Sequence, residues 1–217
     1  IKLKFGNPRR TKLEGDSDEV NDEDLITKED VVVTITHSGY IKRIPIDTYR
    51  TQHRGGKGLQ GMETRDEDFV AQMFVSNTHT TLLVFTDKGK VYWQRVFKLP
   101  EGTRQSKGKA IANVVNISGN EKVQAILPVD EFREDQYIVM LTKSGIIKKT
   151  SLDAFSNPRP SGIIALTTDL DDSVVECKLS SGKDDIFIAT QEGMSIRFDE
   201  SNVRPMGRNA RGVKAIT

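Results

Sequence analysis

Four stretches of this chain repeat one pattern: an apolar run, a Thr-x-x-Gly turn, and a second run that carries basic residues. The turns end at Gly39, Gly89, Gly145 and Gly193, which stand 50, 56 and 48 residues apart. Before them run Val31–Thr36, Leu82–Thr86, Ile138–Thr142 and Ile186–Thr190, rich in β-branched and aromatic residues. Each stretch therefore predicts a β-hairpin whose turn glycine takes φ > 0.

The register extends past the turn. Ten residues after each glycine stands an apolar anchor: Tyr49, Leu99, Phe155 and Val203. A second glycine follows the first by 19 residues at Gly58, Gly108 and Gly212, and by 17 at Gly162. Three or four positions before it comes an arginine: Arg54, Arg104, Arg159 or Arg208. Further strands are predicted after the second glycine, at Ile111–Val114, Ile163–Leu166 and Val213–Ile216. Others precede the next hairpin, at Phe69–Val75, Val123–Leu127 and Val174–Leu179. About four strands in about 50 residues is the size of one propeller blade, in which neighbouring sheets bury each other's faces. The expectation is an all-β, propeller-like array with repeats near 31–80, 81–135, 136–183 and 184–217. The fourth repeat reaches Thr217 before its last strand, which implies further blades in a longer parent chain. Residues 1–30 lack the pattern and read as a linker from an upstream domain, with a short helix around Asn21–Leu25.

Net charge is only +1, so bulk electrostatics select no partner. The linker holds nine acidic side chains against six basic ones. That leaves 26 of the 32 basic and 22 of the 31 acidic residues for positions 31–217. A nucleic-acid binder with this balance must gather its positive charge on one surface. Bases do recur in register. Lys42, Arg43, Lys148, Lys149 and Arg197 follow the turns, and Arg54, Lys57, Arg104, Lys107, Arg159, Arg208 and Arg211 precede or flank the second glycine. Lys and Arg on phosphates give affinity without sequence choice, so this set is the candidate DNA-binding surface. Solubility alone would explain scattered bases but requires no register.

Gln52-His53-Arg54-Gly55-Gly56-Lys57-Gly58 resembles the gyrase A box, Gln-Arg-Arg-Gly-Gly-Lys-Gly, with His53 replacing an arginine. Glu23–Thr27, Asp30–Thr34, Ala125–Val129, Ser201–Gly207 and Phe5–Thr11 are similar to the same family, the DNA-wrapping C-terminal domain of DNA gyrase A. The resemblance implies a β-pinwheel, normally of six blades that share strands with their neighbours, of which about four fall in residues 31–217. It also implies chiral wrapping of double-stranded DNA in support of ATP-dependent negative supercoiling. The partner would be gyrase B, within an A2B2 complex in the cytoplasm. ATP and magnesium would serve the parent complex, and no cofactor or catalytic residue is expected here. The corresponding domain of topoisomerase IV is the near alternative, although its box is degenerate; a generic protein-binding propeller is the more distant one.

Other constellations carry less. Gly55-Gly56-Lys57-Gly58 lacks the spacing of a nucleotide-binding P-loop. His37, His53, His79 and the single Cys177 have no zinc-ligand spacing, and His37 and His79 are expected at the surface. The lone cysteine excludes an internal disulfide and fits a reducing compartment. Asp169, Asp171 and Asp172, like Asp184 and Asp185, read as turn residues rather than a cation site. Trp93 is expected between blades, and Tyr40, Tyr49, Tyr92 and Tyr137 in blade strands or anchors, with no catalytic role. No apolar run is long enough to span a membrane.

Overall fold

The structure, a computed structural model, describes Lys4, Gly6 and residues 22–49, 68–117 and 120–216. All four predicted hairpins form. They are β1 (Asp30–Thr36) with β2 (Tyr40–Pro45), β4 (Thr81–Thr86) with β5 (Lys90–Arg95), β8 (Tyr137–Thr142) with β9 (Ile146–Ser151), and β12 (Asp185–Ala189) with β13 (Ser195–Asp199). Their turn glycines take φ of +73° to +85°, the left-handed region in which a Cβ is strained.

Each of the first three hairpins gains an outer strand from its own repeat: β3 (Val70–Asn77), β7 (Val123–Val129) or β11 (Val174–Ser180). The fourth strand comes from the following repeat. β6 (Lys109–Ala110) pairs with β2, β10 (Ile163–Ile164) with β5, and β14 (Val213–Lys214) with β9. The sheet orders are β3-β1-β2-β6, β10-β5-β4-β7 and β11-β8-β9-β14, followed by the two-stranded β12-β13. Each complete blade is thus closed by a strand lent from its neighbour.

The lent strands are shorter than the sequence suggested. Residues 111–114, expected as strand, instead form a single helical turn, α1 (Ile111–Val114), because the backbone leaves the sheet after two residues. The cause recurs in register. The turn-glycine carbonyl of the preceding blade captures the incoming chain: Gly39 O accepts from Ile111 N, Gly89 O from Ala165 N and Leu166 N, and Gly145 O from Ala215 N.

Side-chain alternation assigns each strand face to a neighbour. In β4, Leu82 and Val84 pack with Val31, Val33 and Ile41 of the first blade, while Leu83 and Phe85 pack with Ile138, Met140 and Phe155 of the third. Both faces are buried, which is why β4 reads as an unbroken apolar run. In β12, by contrast, Ile188 is buried against Ile147 and Val203 while Phe187 is exposed. The anchors Leu99, Phe155 and Val203 are buried at the ends of short 3-10 turns, Val96–Lys98, Leu152–Phe155 and Glu200–Asn202.

Residues 22–29 of the linker lie against the second blade. The predicted short helix is a 3-10 turn at Asp22–Leu25. Glu23 makes a two-pronged pair with Arg95, both contacts 2.5 Å, and Arg95 also donates to His79 O and to Thr81 Oγ1. His79 is not the free surface residue expected: it is half-buried, and its Nε2 lies 2.8 Å from Ile26 O. His37 is exposed and stacks on Phe69 with ring centroids 4.8 Å apart.

Candidate nucleic-acid interface

The basic residues that follow the hairpin turns do not form a free surface. Lys42, three residues after Gly39, is fully buried; its ammonium donates to Thr103 O, Arg104 O and Ser106 O at 2.8–2.9 Å. Lys148, its counterpart in the third blade, is equally buried and donates to Ala165 O at 2.6 Å and to Arg208 O. Burial lowers the pKa of Lys42, and burial with the nearby Arg208 charge brings that of Lys148 down to about 8. An ammonium enclosed by carbonyls has no face left for a phosphate, so Lys42 and Lys148 leave the candidate contact set.

One residue further on, the pattern is a joint between blades. Arg43 Nε donates to Leu99 O at 3.2 Å and its Nη2 pairs with Glu101 at 2.9 Å. Trp93 Nε1 donates to Phe155 O at 2.8 Å. Lys149 Nζ donates to Glu200 O at 3.0 Å, lies 3.4 Å from the buried Glu200 carboxylate, and sits 5.1 Å from the Tyr137 ring centroid. Arg43, Trp93 and Lys149 therefore tie each hairpin to the anchor region of the next repeat. Only Arg197, in the fourth blade, is exposed, and it pairs with Asp185.

The loops before the second glycines differ. Arg104 and Arg208 are half-buried, whereas Lys107, Arg159 and Arg211 are exposed; Arg211 pairs with Asp169 at 3.0 Å. Among the described residues, Arg104, Lys107, Arg159 and Arg208 have no carboxylate within ion-pair distance. Bases outside the predicted set join them: Lys109 on β6, Arg204 after the Val203 anchor, and Lys214 on β14. Their signal was adjacency to the repeat glycine or anchor. Segments 100–109, 156–162 and 204–214 together hold eight basic residues and one acid, Glu101, which Arg43 already pairs. All three segments enter the lent strand, so they fall at the same edge of three successive sheets. Asp172, before β11, accepts from Ser144 N and Ser173 N, while Asp184, in the turn before β12, accepts from Ser181 N, the turn chemistry expected of both.

Arg54, Lys57 and the whole box, Gln52, His53, Arg54, Gly55, Gly56, Lys57 and Gly58, lie outside the described residues. Among the described residues no group of His, Cys, Asp and Glu could hold a metal ion, and no helix is long and apolar enough to cross a membrane. Cys177 is buried, and burial pushes its thiol pKa well up, so it is unreactive in the folded chain.

Exchange of strands between successive four-stranded sheets defines a β-pinwheel of the propeller-like class. The family described as DNA gyrase C-terminal domain, beta-propeller, matches at residues 30–77, 80–130, 136–181 and 184–217, and the chain belongs to that family. The A protein of DNA gyrase from Clostridium acetobutylicum is 47% identical over 99% of this chain, and that from Salmonella typhimurium 44% identical over all of it. The chain spans about a quarter of the length of these relatives, 26% and 25%. Among solved structures, the C-terminal domain of DNA topoisomerase IV superposes with TM-score 0.75 at 32% identity, covering 87% of this chain and 57% of that one. The DNA gyrase A C-terminal domain superposes with TM-score 0.66 at 24% identity, covering 87% and 60%.

Proposed function

We propose that this chain binds double-stranded DNA without sequence choice along the lent-strand edge, and wraps it with a defined hand. The observation that carries this reading is the eight-to-one excess of bases over acids in three loops at the same edge of successive sheets, in a chain whose net charge is +1. Such a stripe meets successive phosphates through Lys and Arg, and repeated backbone contacts around a curved array favour bending of the duplex. In the parent protein the wrap would present a DNA segment for strand passage and so support ATP-dependent negative supercoiling in the cytoplasm. Gyrase B would be the partner, with ATP and magnesium acting there. Gyrase is favoured over topoisomerase IV by gyrase A relatives at 42–47% identity along essentially the whole chain.

Fluorescence anisotropy with a labelled duplex of arbitrary sequence tests the binding. The proposal expects affinity that falls steeply and linearly on a log–log plot against salt, with about 0.9 in slope for each phosphate neutralised. It also expects little change between sequences of equal length. Salt-independent binding, or none from folded protein, would favour a protein-binding array instead.

A further inference from the structure

The position three residues after the turn glycine varies with the loop that packs on it. Where the next repeat spans 19 residues between its glycines, ending at Gly108 or Gly212, the residue is Lys42 or Lys148. Where the span is 17, ending at Gly162, it is Tyr92. The contacts account for the pairing. Carbonyls of the long loops turn inward onto an ammonium: Thr103, Arg104 and Ser106 onto Lys42, and Arg208 onto Lys148, which also donates to Ala165 O of its own repeat. The short loop lies directly against the aromatic ring, since a Cβ on Gly162 would stand 2.7 Å from Tyr92 Cε1.

The first long loop closes around the lysine stem as well as its head. A Cβ on Gly102 would lie 3.3 Å from Lys42 Cδ, and one on Gly108 would lie 3.0 Å from Lys42 Cβ. Loop carbonyls that converge on one point repel each other and need a cation between them, and hydrogen bonds from a charged donor are the stronger kind. With the carbonyls of Thr103, Arg104 and Ser106 held inward, the exposed Lys107 is set on the outer edge.

We propose that Lys42 is a positioning residue for DNA binding: it is an internal cation around which the basic loop of the next repeat closes, and it does not touch DNA. The inference rests on the loops being the DNA-binding edge, and the test separates the two ideas. In this chain, DNA affinity and its salt slope are measured for Lys42→Met, for Arg104→Ala with Lys107→Ala, for Arg208→Ala with Arg211→Ala, and for Lys42→Met combined with each pair. Lys42→Gln, which retains two donors for the three carbonyls, is carried in parallel as the milder variant, and Trp93 emission confirms that each protein is folded.

Lys42→Met should bind about tenfold more weakly, with a salt slope shallower by about 2, the equivalent of two lost phosphate contacts. Its effect should vanish when Arg104 and Lys107 are already alanine, and persist in full when Arg208 and Arg211 are. A general loss of structure would give no such preference for one loop. If the loop pair weakens binding but folded Lys42→Met and Lys42→Gln do not, the positioning role is overturned while the DNA reading stands. An equal effect of Lys42→Met on both backgrounds also overturns it. If the Arg104/Lys107 pair itself has no effect on affinity, the DNA-binding edge is wrong and the positioning role falls with it.

Discussion

Phe155→Ala is the most searching perturbation of the joints between blades. The ring is fully buried, meets Phe85 edge-on with centroids 6.2 Å apart, and belongs to the cluster that unites the second and third sheets. Removing it forfeits its transfer free energy and leaves a cavity, at a cost of about 3–5 kcal/mol, to which the lost aromatic pair contributes about 0.5–1.5 kcal/mol. A chain of this kind has about 5–15 kcal/mol in total, so the loss is a large share of it. The single Trp93 reports on this same joint, because its Nε1 donates to Phe155 O. Urea unfolding followed by Trp93 emission should show the midpoint fall sharply, with an m-value near that of the parent chain. Phe187→Ala is the control: that side chain is 66% exposed, and its removal should cost about 0.5 kcal/mol or less. If Phe155→Ala costs less than about 1 kcal/mol, the anchor does not hold the blades together, and the packing argument fails.

Three further outcomes follow from the same contacts. Lys148 gives up its proton near pH 8 in the folded chain but near the ordinary lysine value when unfolded, so between those points the unfolded state binds more protons and stability rises with pH. The difference in urea-derived stability between the parent chain and Lys148→Met should therefore shift in the parent's favour from pH 7 to pH 10, by at most about 1.4 kcal/mol per unit; comparing the two cancels titrations they share, such as that of Cys177. Gly108→Ala should destabilise by about 1–3 kcal/mol, because φ is +76° and the new Cβ would collide with the Ile41 carbonyl; Gly193→Ala, whose Cβ meets nothing, should cost only the turn strain of about 1 kcal/mol in a thermal melt. Cys177 should resist an aromatic disulfide reagent at neutral pH until urea unfolds the chain, and then react fully; prompt reaction in buffer would contradict its burial.

Much of the architecture was legible because its requirements are local. A turn glycine at positive φ, an apolar run before it and an anchor ten residues after it are each set within one repeat, and four copies in register leave little freedom. Two of the three lent strands were located but overextended, and the first was placed too late, since strand Lys109–Ala110 ends where the expected one begins. Residues 111–114 look like a strand, yet Gly39 O of the preceding blade draws the chain out of the sheet at Ile111. The candidate bases divided on a distinction that sequence adjacency does not carry. Lys42 and Arg104 look alike as isolated basic residues, but carbonyls some 60 residues downstream bury one ammonium. A signal existed in the pairing of loop length with the residue at that position, and it is visible only once the blades are known to exchange strands.

Wrapping, unlike simple adhesion, changes the linking number of a closed DNA circle, so DNA topology separates the two. A nicked circular plasmid is incubated with increasing amounts of the chain at two salt concentrations, sealed with ligase, stripped of protein and resolved by linking number. If the chain wraps DNA, the distribution shifts with one sign, by an amount that grows with protein and shrinks as salt rises. Binding in a parallel gel-shift assay with an unmoved linking-number distribution would contradict wrapping by this chain.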